Sequence, residues 1–511
     1  MENRLILRVL FYFKMSIKSF LSIFLARHVV RKNSVWKKNA LLCQQKLMRQ
    51  LVTRAKNTDF GLDHSFSKIK SYSDFKKNIP IRDYEDLKPY INKIIAGKRG
   101  VLWPNKPIYF CKTSGTTSGS KFIPITKESM PFHLKAAKDA ILTYIHESKN
   151  TNIVNGKMIF LQGSPVLRRT GNILTGRLSG IVAYHIPFYL KKNRLPSFKT
   201  NCIEDWESKV DAIVEETVNK KMSVISGIPP WVQMYFEKLQ KKSGKLIGNL
   251  FPDFDLFIFG GVNYEPYKNT FEKLIGRKVD GLELYPASEG FIAYQDSQKE
   301  KGMLLCVNHG IFYEFIDAND FFDKNPRRVD LSGVETGVNY VIILNTNAGL
   351  WGYCIGDTVK FVSKDPYKII VTGRIKHFTS AFGEHVIAEE VERSLKETLL
   401  VYPAEIKELH VAPQVNPGRG LPYHEWFIEF GKKPDDLDGF KNSLDVCLQK
   451  NNTYYRDLVS GGVLRGLKVT CVGKNGFIKF MKEAGKLGGQ NKVPRLANDR
   501  EIAEKINLYR E

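Results

Sequence analysis

Between Lys112 and Thr126 the chain reads Lys-Thr-Ser-Gly-Thr-Thr-Ser-Gly-Ser-Lys-Phe-Ile-Pro-Ile-Thr. Hydroxyls on Thr113, Ser114, Thr116, Thr117, Ser118 and Ser120 lie around Gly115 and Gly119, and Lys121 closes the run. Hydroxyls and bare amides donate hydrogen bonds to anionic oxygens. Glycine lets successive N–H groups turn into one concavity, and lysine adds a mobile positive charge. Such a loop is built to hold a polyphosphate. A solvated linker has a similar composition. Here, however, strand-like apolar segments flank the loop, Ile108–Cys111 before it and Phe122–Ile125 after it, so phosphate contact is the expectation. The common P-loop is excluded, because it needs four residues between its glycines and a Gly-Lys-Ser/Thr that opens a helix. In this chain the glycines enclose three residues, and Lys121 leads into a strand-like run.

Four later stretches carry residue types suited to the same task. Asp255–Tyr264 is an apolar strand running into Gly260-Gly261-Val262; glycines at the carboxyl end of such a strand let a flat ring approach the backbone, although an ordinary strand-to-helix turn reads the same way. Leu282–Gly290 contains Tyr285, Ser288 and Glu289. Gly352–Val359 contains Asp357, whose two acceptor oxygens suit a diol. Near the end, Gly488–Arg495 contains Lys492.

In this order the stretches resemble the signatures of the adenylate-forming superfamily of acyl-CoA synthetases, luciferases and peptide-synthetase adenylation domains. The nearest variant is that of the auxin-responsive (Gretchen Hagen type) acyl acid–amido synthetases of plants and their bacterial relatives. The resemblance runs from about residue 60 to residue 500. It implies that Thr113, Ser114, Gly115, Thr116, Thr117, Gly119 and Lys121 hold the ATP phosphates, with Thr117 counted among the catalytic residues. It implies that the Gly260–Val262 turn flanks adenine, that Tyr285 stacks on it and that Ser288 meets a phosphoryl or carboxylate oxygen. Glu289 would hold Mg²⁺, a hard ion served by few carboxylates and several waters. Asp357 would take both ribose hydroxyls with Arg374 nearby, Lys376 would be the pivot of a domain rotation, and Lys492 would neutralise the α-phosphate. Two residues depart from the pattern: Pro286 follows Tyr285, and Cys354 stands where arginine is usual.

These residues need a frame. Helical spacing at 128–146, 206–220 and 230–242 alternates with strand-like runs at 158–162, 223–226 and 255–259, which argues for an α/β domain with a mostly parallel sheet. The expected fold class is α/β: a large N-terminal adenylate-forming domain of mixed and parallel sheets flanked by helices, with a smaller mobile C-terminal α+β domain. The expected boundaries are 1–372 for the adenylation domain, 373–380 for the hinge and 381–511 for the mobile domain. Phe132, Tyr184, Phe188 and Trp231 are apolar enough either to line an acyl pocket or to be core.

The seven cysteines are scattered and never form a Cys-x-x-Cys pair, which argues against a disulfide framework or a zinc site and fits a reducing, cytoplasmic location. Net charge is +25, yet no nucleic-acid-binding motif accompanies it, so no specific nucleic acid is expected. Residues 1–60 hold 13 Lys/Arg against two Asp/Glu. The segment 4–27 reads as a basic amphipathic helix; packing its apolar stripe on the main domain is favoured, with peripheral contact to the inner face of a membrane left open. The expected activity is that of a monomeric ligase forming carbon–nitrogen bonds: ATP and Mg²⁺ adenylate a carboxylic acid, and the acyl group passes to an amino acid. Acyl-CoA ligation through the same first step is the alternative. A basic membrane- or nucleic-acid-associated protein with a vestigial nucleotide site is the rival from another class. The base for the second step is unassigned among His133, His185, His309 and His377.

Overall fold

The structure is a computed structural model that describes residues 16–114, 120–187, 191–203, 205–261, 264–375, 386–415, 417–460, 464–487, 492–497 and 499–511. Gly115, Thr116, Thr117, Ser118, Gly119, Phe188, Val262, Lys376, His377 and residues 4–15 therefore lie outside the described residues. The chain divides into two compact units. The first comprises 1–262, 272–355 and 360–370; the second comprises 263–271, 356–359 and 371–511.

In the first unit, the strands Lys157–Phe160, Met222–Ser226, Leu256–Gly260 and Asp280–Ala287 run parallel and side by side within a twelve-stranded sheet. Met222–Ile225 and Leu256–Ile258 are buried on both faces, which explains why, Ser223 apart, their sequence is continuously apolar. Helices Trp206–Thr217 and Pro229–Ser243 make the crossovers. Asp205 starts the first of these by accepting a hydrogen bond from the Ser208 amide. Beyond Asp280–Ala287 the sheet turns antiparallel, beginning with the hairpin to Gly290–Tyr294. The α/β alternation legible in the sequence is present. A second sheet of four strands carries the hairpin Tyr109–Ser114 and Ser120–Ile125, with Ile173–Gly176 parallel to the first of these strands.

The helix after the second hairpin strand runs Met130–Ser148. Thr126 closes the turn that leads into it: its buried hydroxyl donates to the Asn347 carbonyl at 2.9 Å and accepts from the Ser129 amide at 3.1 Å, while the Thr126 amide donates to the Ser129 hydroxyl at 3.0 Å. One local expectation shifts. The helix Ile17–Lys38 packs Ser19, Ser22, Ala26, Val29, Asn33 and Trp36 inward. In its first half, however, Ile17, Phe20, Leu21, Phe24 and Leu25 face outward, the reverse of the packing that the sequence favoured for this stretch.

The second unit is α+β. Strands Glu405–Gln414, Tyr423–Lys432 and Lys468–Val472 form its sheet, and helices Ala388–Val401 and Leu437–Asn451 bury Val391, Leu395, Phe440 and Leu444 with Leu409 and Trp426. A short strap near Leu496 lies along the strand at Val411: the Val411 amide donates to the Arg495 carbonyl at 2.8 Å, and the Ala497 amide donates to the Val411 carbonyl at 2.9 Å.

Candidate active site

The hydroxyl-rich stretch is the connection of a β-hairpin. Antiparallel pairing sets Thr113 against Lys121 and Ser114 against Ser120, so residues 115–119 are the link between two fixed strand ends. The Lys121 ammonium lies 5.7 Å from the centre of the Tyr84 ring, and the Tyr84 hydroxyl accepts from the Phe122 amide at 2.9 Å. This holds the second strand against the helix Tyr84–Ile95.

A second hairpin supplies the acid. Ala287 pairs with Gly290, which leaves Ser288 and Glu289 as a two-residue turn, both half-buried. Cys111, fully buried in the first hairpin strand, donates its thiol proton to Ser288 Oγ at 3.0 Å. That bond ties the phosphate-loop candidate to the turn carrying Glu289. Burial, reinforced by the Glu289 charge, pushes the Cys111 thiol up to about 12 despite the opposing pull of the Ser288 hydrogen bond and Arg177. The sulfur is therefore a neutral donor at physiological pH.

The Gly260–Gly261 turn adjoins the same hairpin through parallel pairing of Gly260 with Leu284. A Cβ on Gly260 would stand 2.1 Å from the Leu284 carbonyl oxygen, so strand pairing alone demands glycine there. Gly261 has φ of +80° and is exposed, a conformation that favours glycine for the turn. Tyr285 is only 7% exposed, and Pro286 points outward beside it.

Arg177 was not singled out from the sequence. It follows Gly176, which pairs with Cys111, and burial holds its guanidinium below the usual range. Its only sequence signal is a Gly-Arg at the end of an apolar strand. His133 and His309 are buried, which lowers them to about 4 and about 3, the latter beside the Lys135 ammonium; both are too weakly basic to deprotonate an amine. His185 is half-buried and 3.1 Å from the Tyr109 hydroxyl.

In the second unit, Asp357 is half-buried and follows Gly356, whose φ is +84°. The Ile375 amide donates to the Gly356 carbonyl at 2.6 Å, and the hydroxyls of Thr372 and Thr358 are 2.8 Å apart. This register sets Asp357 across from the Gly373–Arg374 backbone. Lys492 is exposed at the start of the strap. The strap is anchored by an ion pair between Arg495 and Glu408, by Arg495 to the Tyr267 hydroxyl at 3.4 Å and by His410 Nδ1 to the Pro494 carbonyl at 2.7 Å. Burial pushes the Glu408 carboxyl up; Arg495 stays above its ordinary value because Glu408 and Tyr267 outweigh its own burial.

Three family models match the chain in sequence order: the GH3 family N-terminal domain over residues 32–204, the GH3 family central domain over 304–374 and the GH3 family C-terminal domain over 387–501. The chain belongs to the GH3 family. Among GH3 relatives, the indole-3-acetic acid-amido synthetase GH3.3 of Arabidopsis thaliana is 30% identical over 560 residues, covering 92% of this chain and 91% of its own. The jasmonoyl–L-amino acid synthetase JAR4 of Nicotiana attenuata is 23% identical over 402 residues, covering 65% of this chain and 68% of its own. In fold, this GH3 chain is similar to the solved GH3.15 acyl acid amido synthetase in complex with 2,4-DB, with a TM-score of 0.78 at 15% identity over 95% of this chain and 96% of that one.

Proposed function

We propose that this protein is an acyl acid–amido synthetase: it uses ATP to adenylate a small carboxylic acid and transfers the acyl group to the amine of an amino acid. The observation that carries the reading is the Cys111–Ser288 hydrogen bond, which joins the hydroxyl-rich hairpin to the Ser288–Glu289 turn. The GH3 relatives named for acid–amino acid ligation point the same way.

Both reactants of the first step are anions, so the site must neutralise charge before they meet. In this reading the hairpin amides and hydroxyls, with Lys121, hold the β- and γ-phosphates. Ser288, its orientation set by the Cys111 thiol, meets a phosphoryl or carboxylate oxygen. Lys492 neutralises charge growing at the α-phosphate. Asp357 and Arg374 serve the ribose, and Tyr285 with the Gly260–Val262 turn serves adenine, a positioning effect. The carboxylate attacks the α-phosphorus, pyrophosphate leaves, and a neutral amine then attacks the acyl carbonyl and expels AMP. Mg²⁺, when bound, supplies charge neutralisation on the phosphates. Among the described residues no group of three or more acidic, histidine or cysteine side chains converges. A single carboxylate such as Glu289 would suit an ion that keeps several waters. Residues 373–380 are proposed as the hinge.

The test is mass spectrometry of one reaction mixture holding protein, ATP, Mg²⁺, a panel of aromatic, fatty and hormone-like acids, all amino acids and coenzyme A. Acyl-amides are expected. Acyl-thioesters would keep the adenylation site and replace the acceptor. Neither product, together with no pyrophosphate exchange into ATP, would overturn the reading.

A further inference from the structure

The helix Ile17–Lys38 is mounted with its polar side inward. Asn33 donates to the buried Asp139 carboxylate at 3.0 Å, and the Trp36 indole donates to Asn33 at 3.0 Å. The Ser16 hydroxyl donates to Asn155 at 2.6 Å, and Ser19 accepts from the Asn155 amide group at 3.0 Å. These bonds fix the rotation of the helix, since turning it would break the Asn33–Asp139 bond and leave the buried Asp139 carboxylate with Lys135 as its remaining partner. The outward face is consequently apolar. Ile17, Phe20, Leu21, Phe24 and Leu25 are 51–79% exposed and follow the i, i+3, i+4, i+7, i+8 spacing of one stripe.

Cations occupy the same outward side. Lys18 flanks the stripe, and Arg27, Arg31 and Lys32 are exposed immediately after it. From Asn3 to Thr58 the sequence contains no Asp or Glu, against 13 Lys and Arg. In an isolated amphipathic helix the cations lie opposite the apolar stripe; here that opposite side is taken up by the protein, so both features are presented together. Apolar side chains with an uninterrupted cationic surround suit a partner that is apolar beneath and anionic at its surface. Among the described residues no helix is long and apolar enough to cross a membrane.

We infer that this face docks the enzyme on an anionic lipid bilayer, with Phe20, Phe24 and their neighbours entering the headgroup–acyl boundary and the Arg27–Lys32 cations meeting lipid phosphates. The helix would lie in the plane of the surface. The inference is independent of the ligase reading, because none of these residues belongs to the candidate active site.

The full chain is tested by co-sedimentation with vesicles of phosphatidylcholine mixed with phosphatidylglycerol, and with phosphatidylcholine alone. The wild type is expected to bind the anionic vesicles at least tenfold more tightly than the neutral ones and to release at high salt. The double variant F20D/F24D and the triple variant R27E/R31E/K32E should each lose at least tenfold, with pyrophosphate exchange activity and circular dichroism unchanged. Absence of binding to anionic vesicles would overturn the inference, and so would undiminished binding by F20D/F24D, which would move the contact to residues 1–15. A dimer seen by light scattering and abolished by F20D/F24D, without vesicle binding, would also overturn it and make the occupant a second copy.

Discussion

At the scale of single residues, the site combines groups the sequence announces with groups it hides. Asp357 and Lys492 are proposed members because an acid after glycine and a lysine in a Gly-Gln-Asn-Lys-Val-Pro-Arg run resemble the family pattern. Asp357→Ala should weaken ATP binding by about 2–3 kcal/mol, the scale of losing charge-assisted hydrogen bonds; titration calorimetry with ATP checks this, and unchanged affinity would remove the ribose role. Lys492→Ala should slow adenylation by roughly 10²-fold or more, read as the rate of pyrophosphate exchange, and a defect confined to the second step would place the lysine elsewhere. Cys111 and Arg177 were illegible, since a cysteine in an apolar strand reads as core. Only the folded chain, which brings two different sheets together, shows that it reaches Ser288, 177 positions away in sequence.

At the scale of elements, periodicity located the strands and helices, but polar locks decided how they are mounted. The Ile17–Lys38 helix shows the limit: hydrophobicity argued for one rotation, and Asn33, bonded to Asp139, enforces the other. Lys37 at the end of that helix also joins a buried cluster, pairing with Asp296 at 2.7 Å, while Lys368 pairs with the same carboxylate at 2.8 Å. Burial alone would raise Asp296, but Lys37 and Lys368 outweigh it and hold the carboxyl below the usual aspartate range. A depressed carboxylate contributes stability above its unfolded pKa and loses it as pH falls through the folded value. This cluster should therefore be intact at neutral pH and fail only in acid, below about pH 4. Asp296→Asn should cost about 1–3 kcal/mol at pH 7, the scale of losing charge-assisted hydrogen bonds, because it removes the carboxylate shared by Lys37 and Lys368 while Glu300 still pairs with Lys368, measured by urea unfolding. The difference from wild type should shrink in acid.

At the scale of the whole molecule, the α/β frame was legible because buried parallel strands carry continuous apolar runs. Its exact partition was not: residues 263–271 and 356–359 cluster with the C-terminal unit although the main unit surrounds them in sequence. Contacts made by short chain segments leave no trace in composition. If 373–380 is the hinge, Lys376→Pro should stiffen it, since proline fixes φ and removes a donor. Single-turnover kinetics should then show acyl-adenylate forming at near the wild-type rate while amide formation slows at least tenfold; equal slowing of both steps would argue against a hinge there.

The strap that carries Lys492 sets a leash. Val493 is buried, and Pro494 and Arg495 are bonded to the strand at His410 and Val411. One residue of chain spans at most about 3.6 Å, so while the strap holds, the Lys492 backbone, two residues before Pro494, stays within about 7 Å of that anchor. A longer excursion requires either peeling the strap away, against the Arg495–Glu408 pair, or carrying its supporting strand along. The lysine's range is thus set by its mooring, and loosening that mooring would give it more reach and less aim.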